Sequence, residues 1–353
     1  MTIHTFEVST TLTSEKYYKL QNELKTKDKN MWQSLKNGMA YWGLSSRGIL
    51  IYFSIIKKNG FYSYKLKYRI SARRVIENDN CVGLFDTKDY PLLNKTVNKV
   101  LKSKCDLLPK LNKCTLSRID FCINAELESQ EQVKAYIKMA KRANIPSSLK
   151  LKTSYDKKSK RQKAPKDDFT LYSEDYIEIS VYNKYRQMLT NKVFTDSETE
   201  RAKNIVRIEI RCLSGKLKEL KKKYSADTLK DFMEKSDKIG TYLFEYYLGK
   251  IFGTGTVYTL KDANARIDMS GFRNKDIQNL KEFVEEANGA RSVHRAAEVF
   301  EEFYTKDGIK RLFRMMDTIS TNCITVPPSD AKLFEDWCIP SPIELFGEYI
   351  CDD

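Results

Sequence analysis

Three stretches of the chain alternate apolar and polar residues with the period of a strand. In Tyr176–Tyr185, Ile177, Ile179 and Val181 share one parity, and Glu178, Ser180, Tyr182 and Lys184 the other. In Leu116–Asn124, Ile119, Phe121 and Ile123 oppose Arg118, Asp120, Cys122 and Asn124. In Val206–Cys212, Val206, Ile208 and Ile210 oppose Arg207, Glu209 and Arg211. Such strands predict a sheet with one face on a core and one face toward water. The polar parity then gathers carboxylates, arginines and a tyrosine. Solvation alone explains most wet strand faces, so this pattern leaves a reactive site and a plain solvated face both open.

The same grammar runs through the rest of the chain. Ile3–Leu12 reads as a strand, followed by a helix capped by Ser14 and running to about Lys25. Gly38–Leu44, Gly48–Ile56 and Phe61–Ile70 read as a meander, with a tight hairpin turn at Asn59-Gly60. A loop over 78–91 leads to a helix over Leu92–Leu107, closed by Pro109. A second half begins with the strand at 115–124 and a helix over 129–143 with Ser129 as its cap. Further strands are expected near 151–156, 169–173, 176–184 and 205–212. From Leu213 the spacing turns helical, with segments at Leu217–Tyr224, Ala226–Ser236, Gly240–Ile251, Asn274–Asn288, Ser292–Thr305 and Asp307–Thr318. The break at Ala287-Asn288-Gly289-Ala290 leaves a helix-turn-helix open, and the Pro-rich tail after Val326 reads as irregular.

The expected fold is therefore α+β: an antiparallel sheet core, with two loosely related halves and helices on one face, then a helical C-terminal region. The expected division is a domain over 1–215, with halves 1–114 and 115–215, and a helical region over 216–353 that is a candidate for DNA binding.

Charge changes the picture. The 353 residues carry 62 Lys and Arg against 47 Asp and Glu, a formal charge of +15, which favours a polyanionic partner. The run Lys157-Lys158-Ser-Lys160-Arg161 and onward to Lys166 forms a basic hairpin tip suited to a phosphate backbone or simply to water. No apolar run is long enough to span a bilayer and no signal peptide is apparent, so a cytosolic protein without a membrane partner is expected. The eight cysteines contain no Cys-x-x-Cys pair, which argues against a zinc ribbon. With two histidines, His4 and His294, a His-rich metal site is excluded. Gly253-Thr-Gly-Thr256 lacks the Gly-Lys-Ser/Thr ending of a nucleotide loop and reads as a turn. Chemistry has to rest on carboxylates, tyrosine, lysine and arginine.

Arg118-Ile-Asp120, Val181-Tyr-Asn-Lys184 and Arg207-Ile-Glu209, in that order and spacing, resemble the motifs of rolling-circle replication initiators, the trans-acting plasmid Rep proteins and filamentous-phage-type replication endonucleases. The resemblance covers roughly residues 1–220. It implies origin binding and nicking of one strand through a 5′-phosphotyrosyl intermediate that leaves a free 3′-hydroxyl. The motif's tyrosine falls on Tyr182, and its metal-holding acids on Asp120 and Glu209, with Mg2+ or Mn2+ as the cofactor. Strand parity adds Glu178 as a third metal candidate. Lys184 and Arg207 are candidates for charge stabilisation at the reacting phosphate, and Arg118 and Arg211 for DNA contact beside Lys157, Lys158, Lys160 and Arg161. The chain departs from some relatives at Tyr185 and Arg186, which leaves the second-step nucleophile unassigned. Implied partners are a double-stranded and single-stranded origin, a host helicase and polymerase, and a second copy of the chain. The alternative is a non-catalytic DNA-binding replication or maintenance factor of a mobile element.

Overall fold

The first alternating stretch, in which Phe6 and Val8 face opposite Glu7 and Ser9, forms strand β1 (Thr2–Leu12) in a computed structural model of the chain. The structure describes residues 2–77, 82–156, 161–163, 165–190 and 194–350. After β1 come helix α1 (Ser14–Lys27), β2 (Trp32–Leu35), β3 (Gly38–Tyr41), β4 (Ile49–Lys58), β5 (Phe61–Ser71), α2 (Ala72–Glu77), β6 (Phe85–Asp86), α3 (Tyr90–Lys104) and β7 (Thr115–Glu126). The middle of the chain holds α4 (Gln130–Ala140), β8 (Lys150–Leu151), β9 (Ser154–Asp156), β10 (Arg161–Lys163), β11 (Asp168–Ser173), β12 (Ile177–Asn183), α5 (Lys184–Thr190), α6 (Asp196–Glu200) and β13 (Ile205–Cys212). Helices then dominate: α7 (Ser214–Tyr224), α8 (Leu229–Glu234), α9 (Ser236–Phe252), a strand β14 (Thr256–Thr259), α10 (Leu260–Asp268), α11 (Asn274–Ala290), α12 (Val293–Phe300), α13 (Lys306–Thr318), β15 (Thr321–Val326), α14 (Pro328–Ala331) and α15 (Pro342–Ile350). The fold is α+β, with a large antiparallel sheet and a helical C-terminal region.

Two compact units are interleaved along the sequence. The first takes Met1–Cys122, Glu174–Ile177 and Ile210–Gly240; the second takes Ile123–Ser173, Glu178–Glu209 and Thr241–Asp353. In the first unit the strand order is β2-β3-β4-β5-β1-β7, with β6 also on β1. Adjacent pairs here run antiparallel, including Glu7 opposite Arg69 on one side and Arg118 on the other. Phe6, Val8, Ile51, Phe53, Leu66, Tyr68 and Ile70 form the buried parity, and Tyr17 of α1 lies edge-on to Phe53. Leu93, Val97 and Leu101 of α3 and Leu217 and Leu220 of α7 are buried at helical spacing, as an amphipathic helix on a core requires. The hairpin turn between β4 and β5 forms at Asn59-Gly60, both in the left-handed region at φ 50° and 82°.

In the second unit β13, β12, β11 and β8 are neighbours in that order, and a separate parallel pair joins β14 to β15. Val133, Tyr136, Ile137 and Ala140 bury one side of α4, whose Ser129 cap accepts from Gln132 N as expected. Phe283 of α11 sits edge-on to Phe300 and Phe313, tying α11, α12 and α13 into one apolar cluster.

Several expectations are corrected by these elements. Thr13, not Ser14, caps α1. Helix α3 begins at Tyr90 with Pro91 inside its first turn, where the missing N–H removes no helical bond, and it ends at Lys104 rather than Leu107. Asn288 and Gly289 do not break a helix: α11 runs through them to Ala290 and ends at Arg291, in the left-handed conformation. The tail after Val326 is not wholly irregular: it holds the short helix α14 and, further on, α15.

Candidate active site

The motif tyrosine is placed by a strand-to-helix junction. Along β12 the side chains of Ile177, Ile179 and Val181 are buried, so Tyr182 emerges on the opposite parity. Asn183 ends the strand with a buried amide. Its Oδ1 accepts from Arg186 N at 3.1 Å in the manner of an N-cap, and its Nδ2 donates to Gln130 Oε1 at 3.1 Å. Helix α5 therefore starts at Lys184, which leaves the strand register and is buried, with Nζ donating to Gln187 Oε1 at 2.8 Å. Lys184 was expected on the strand face beside Tyr182. The helix start, fixed by the Asn183 cap, takes it out of that row.

Tyr182 Oη donates to Glu209 Oε2 at 3.2 Å. Glu209 is itself buried on β13, so the phenol and the carboxylate are held in a part-buried setting where their interaction is weakly screened. This brings together two residues drawn from two motifs 27 positions apart. Arg207, two residues before Glu209, is wholly buried, and its Nε donates to Asn124 Oδ1 at 2.7 Å. Glu178 shares the parity of Tyr182, and its carboxylate accepts from Lys152 Nζ at 2.9 Å; Ser180 between them accepts from Thr170 Oγ1 at 3.0 Å. The polar parity was expected to face water. On β13 it is buried from Ile205 to Ile210, because Arg207 and Glu209 find partners inside the protein.

The first unit holds Arg118, Asp120 and Arg211. Asp120 is fully buried, and both of its oxygens are engaged by guanidinium groups. Oδ1 accepts from Arg118 Nε at 2.8 Å and from Arg211 Nε at 3.1 Å, while Oδ2 accepts from Arg118 Nη2 and from Arg211 Nη2 at 3.5 Å. Arg118 also reaches Glu7 Oε1 at 3.2 Å. Glu7 was not singled out in the sequence. It lies on β1, opposite Phe6 and Val8, and takes Lys67 at 2.9 Å and Arg69 at 2.7 Å as well. Burial works against its charge, yet Lys67 and Arg69 outweigh that and hold its carboxyl below the ordinary range. The Thr5-Glu7-Ser9 alternation was the available signal for it.

A hard divalent cation needs carboxylate oxygens with room for further ligands. Glu209 offers a carboxylate of the required oxygen chemistry, with the Tyr182 phenol on its Oε2. Asp120 does not in this arrangement, since a cation there displaces arginine from both oxygens. Of the basic hairpin residues, Lys157, Lys158 and Lys160 lie outside the described residues, and Arg161 opens β10, paired with Asp156. Among the described residues no helix is long and apolar enough to cross a membrane.

No protein-family model matches the chain, and no curated protein matches it. Among solved structures the chain is similar to a rolling circle replication initiator protein from Geobacillus stearothermophilus, at 11% identity over 69% of this chain and 83% of that one, with a TM-score of 0.32.

Proposed function

We propose that the chain is a replication initiator that binds an origin and nicks one DNA strand by attack of Tyr182. The observation that carries this reading is the Tyr182–Glu209 hydrogen bond. A phenol loses its proton near pH 10 in water, so it needs a neighbouring base to attack phosphorus at neutral pH. Glu209 is within reach of that proton. In the proposed step Tyr182 Oη forms the bond to phosphorus as its proton passes to Glu209, and the bond to the 3′ oxygen breaks. That oxygen takes up a proton from water and leaves as a free 3′-hydroxyl, while the 5′ phosphate stays on the tyrosine. Asn183 and Gln130 fix the junction that orients the ring. Arg207 keeps the β13 backbone next to Glu209 in place through Asn124. A bound Mg2+ or Mn2+, held on the Glu209 carboxylate, would supply polarisation of the phosphodiester.

The test is incubation of the chain with supercoiled DNA carrying the origin of its own replicon, followed by denaturing gels and peptide mapping. A covalent adduct on Tyr182 that disappears in Tyr182→Phe, with DNA binding retained, is the expected result. An adduct on Tyr185, Tyr176 or Tyr172 reassigns the nucleophile. No adduct at all leaves the second reading, a non-catalytic DNA-binding replication or maintenance factor. One observation favours that second reading: Asp120, an expected metal ligand, spends its charge on arginines.

A further inference from the structure

The β4–β5 hairpin has a face that the proposed chemistry does not use. Its turn at Asn59-Gly60 places Lys58 opposite Phe61, Ser54 opposite Lys65 and Tyr52 opposite Lys67. Strand period then puts Phe61, Lys65, Lys67 and Arg69 on one face, since Leu66, Tyr68 and Ile70 fill the core on the other. Lys65, Lys67 and Arg69 follow one another about 7 Å apart along the strand, and Phe61 stands about 14 Å before Lys65, with Ser63 between them. Phe61 is 80% exposed, the highest value among the large apolar side chains that the core leaves out. Lower on the same face the Arg69 guanidinium lies 5.1 Å from the centre of the Tyr52 ring. Lys67, Arg69 and Arg118 share one carboxylate, Glu7, so the row keeps a positive excess.

An exposed ring above an evenly spaced row of cations is the requirement for gripping a single strand: bases stack on the ring and phosphates follow the cations. A duplex hides its base faces, so it gains nothing from Phe61. A second copy of this chain, meeting the tip in a two-fold contact, would set Lys57 and Lys58 against their own equivalents. We propose that the β4–β5 hairpin is a single-stranded DNA platform, with Phe61 stacking on a base and Lys58, Lys65 and Lys67 following the phosphates. The choice of DNA as the polymer rests on the proposed initiator function; the platform itself rests on the hairpin.

The test is fluorescence anisotropy of the full chain with labelled (dT)20 across a salt series, beside a 20-base-pair duplex. Phe61→Ala should weaken binding of (dT)20 about tenfold, within the range for one lost base stack, and leave the duplex nearly unchanged. Lys58→Ala with Lys65→Ala should lower the slope of log K against log salt by about 1.4, two phosphates at about 0.7 each for a single strand. Thermal unfolding should not move, because none of the three side chains is in the core. Unchanged affinity and slope would overturn the proposal, as would equal losses on duplex and single strand. A Phe61→Ala variant that turns a dimer into a monomer with its (dT)20 affinity intact would assign the tip to a second copy instead. Tyr182→Phe is measured in parallel and should bind (dT)20 like the wild type. Binding without any nicking would therefore count against the active-site reading alone, and nicking with no effect of the hairpin variants against the platform alone.

Discussion

Asp120 accepts from Arg118 and Arg211 on both oxygens, so its neutralisation takes away the carboxylate that the two guanidinium groups share, with Glu7 still on Arg118. Asp120→Asn should therefore destabilise the protein by about 3 kcal/mol in urea unfolding, the usual scale for breaking a buried ion cluster. Loss of nicking in that variant would report folding as much as chemistry. Glu209→Gln separates the two. The amide oxygen still accepts from Tyr182, so stability should change by less than about 1 kcal/mol, while the proton acceptor is gone and the cleavage rate should fall about 100-fold or more at unchanged DNA affinity. Glu7 supplies a pH test. Its carboxyl is held below the ordinary value by Lys67 and Arg69, so its stabilisation is complete above about pH 4.5 and is lost as pH falls through the depressed value. Wild type and Glu7→Gln should differ by about 2 kcal/mol at pH 7 and converge in acid, as followed by circular dichroism. Equal stability of the two at pH 7 would show that the three cations are content with water.

At the scale of elements, the junction between β12 and α5 is where the sequence motif becomes geometry. Asn183→Ala removes the cap and the bond to Gln130, and should cost about 1–2 kcal/mol and slow cleavage without weakening DNA binding. The apolar parity of β7, β12 and β13 was legible because a strand's period is two and each face shows in the pattern. Burial of the opposite parity was not, since alternation says nothing of whether charges meet water or one another, and Arg207 with Asn124 is a meeting across 83 positions. Tyr182 and Glu209 were singled out by a motif resemblance, as nucleophile and metal ligand, but nothing in the sequence foretold the hydrogen bond between them. Pro91 was read as a boundary because proline ends helices far more visibly than it begins them. Gly289 was read as a break because its intrinsic cost in a helix is about 1 kcal/mol, which the buried Phe283, Val284 and Ala287 on the same helix outweigh. The β14–β15 pair was hidden by the long helical stretch between its two strands, and β15 is buried on both faces and so shows no alternation.

For the whole molecule, the interleaving of the two units sets what can be cut away. A fragment ending at residue 215 removes Leu217, Leu220 and Phe232, all buried in the first unit, together with everything the second unit takes from Thr241 onward. Such a fragment should lack cooperative unfolding in calorimetry and show little amide protection in hydrogen exchange. A cooperative, fully protected fragment 1–215 would mean that the later helices are accessories. The charge of +15 acts at this scale too, drawing polyanions toward the protein from beyond contact distance, an attraction that weakens as salt is added.

The order in which the chain is made gives the interleaving a biological edge. When a ribosome has passed the codons for Tyr182 and Glu209, the first unit still waits for Ile210–Gly240 and the second for Thr241–Asp353. An aborted translation product would carry Tyr182 and Glu209 without the segments that complete either unit. Each unit is closed only by segments that follow residue 209, so neither can finish folding while the first half of the chain is being made.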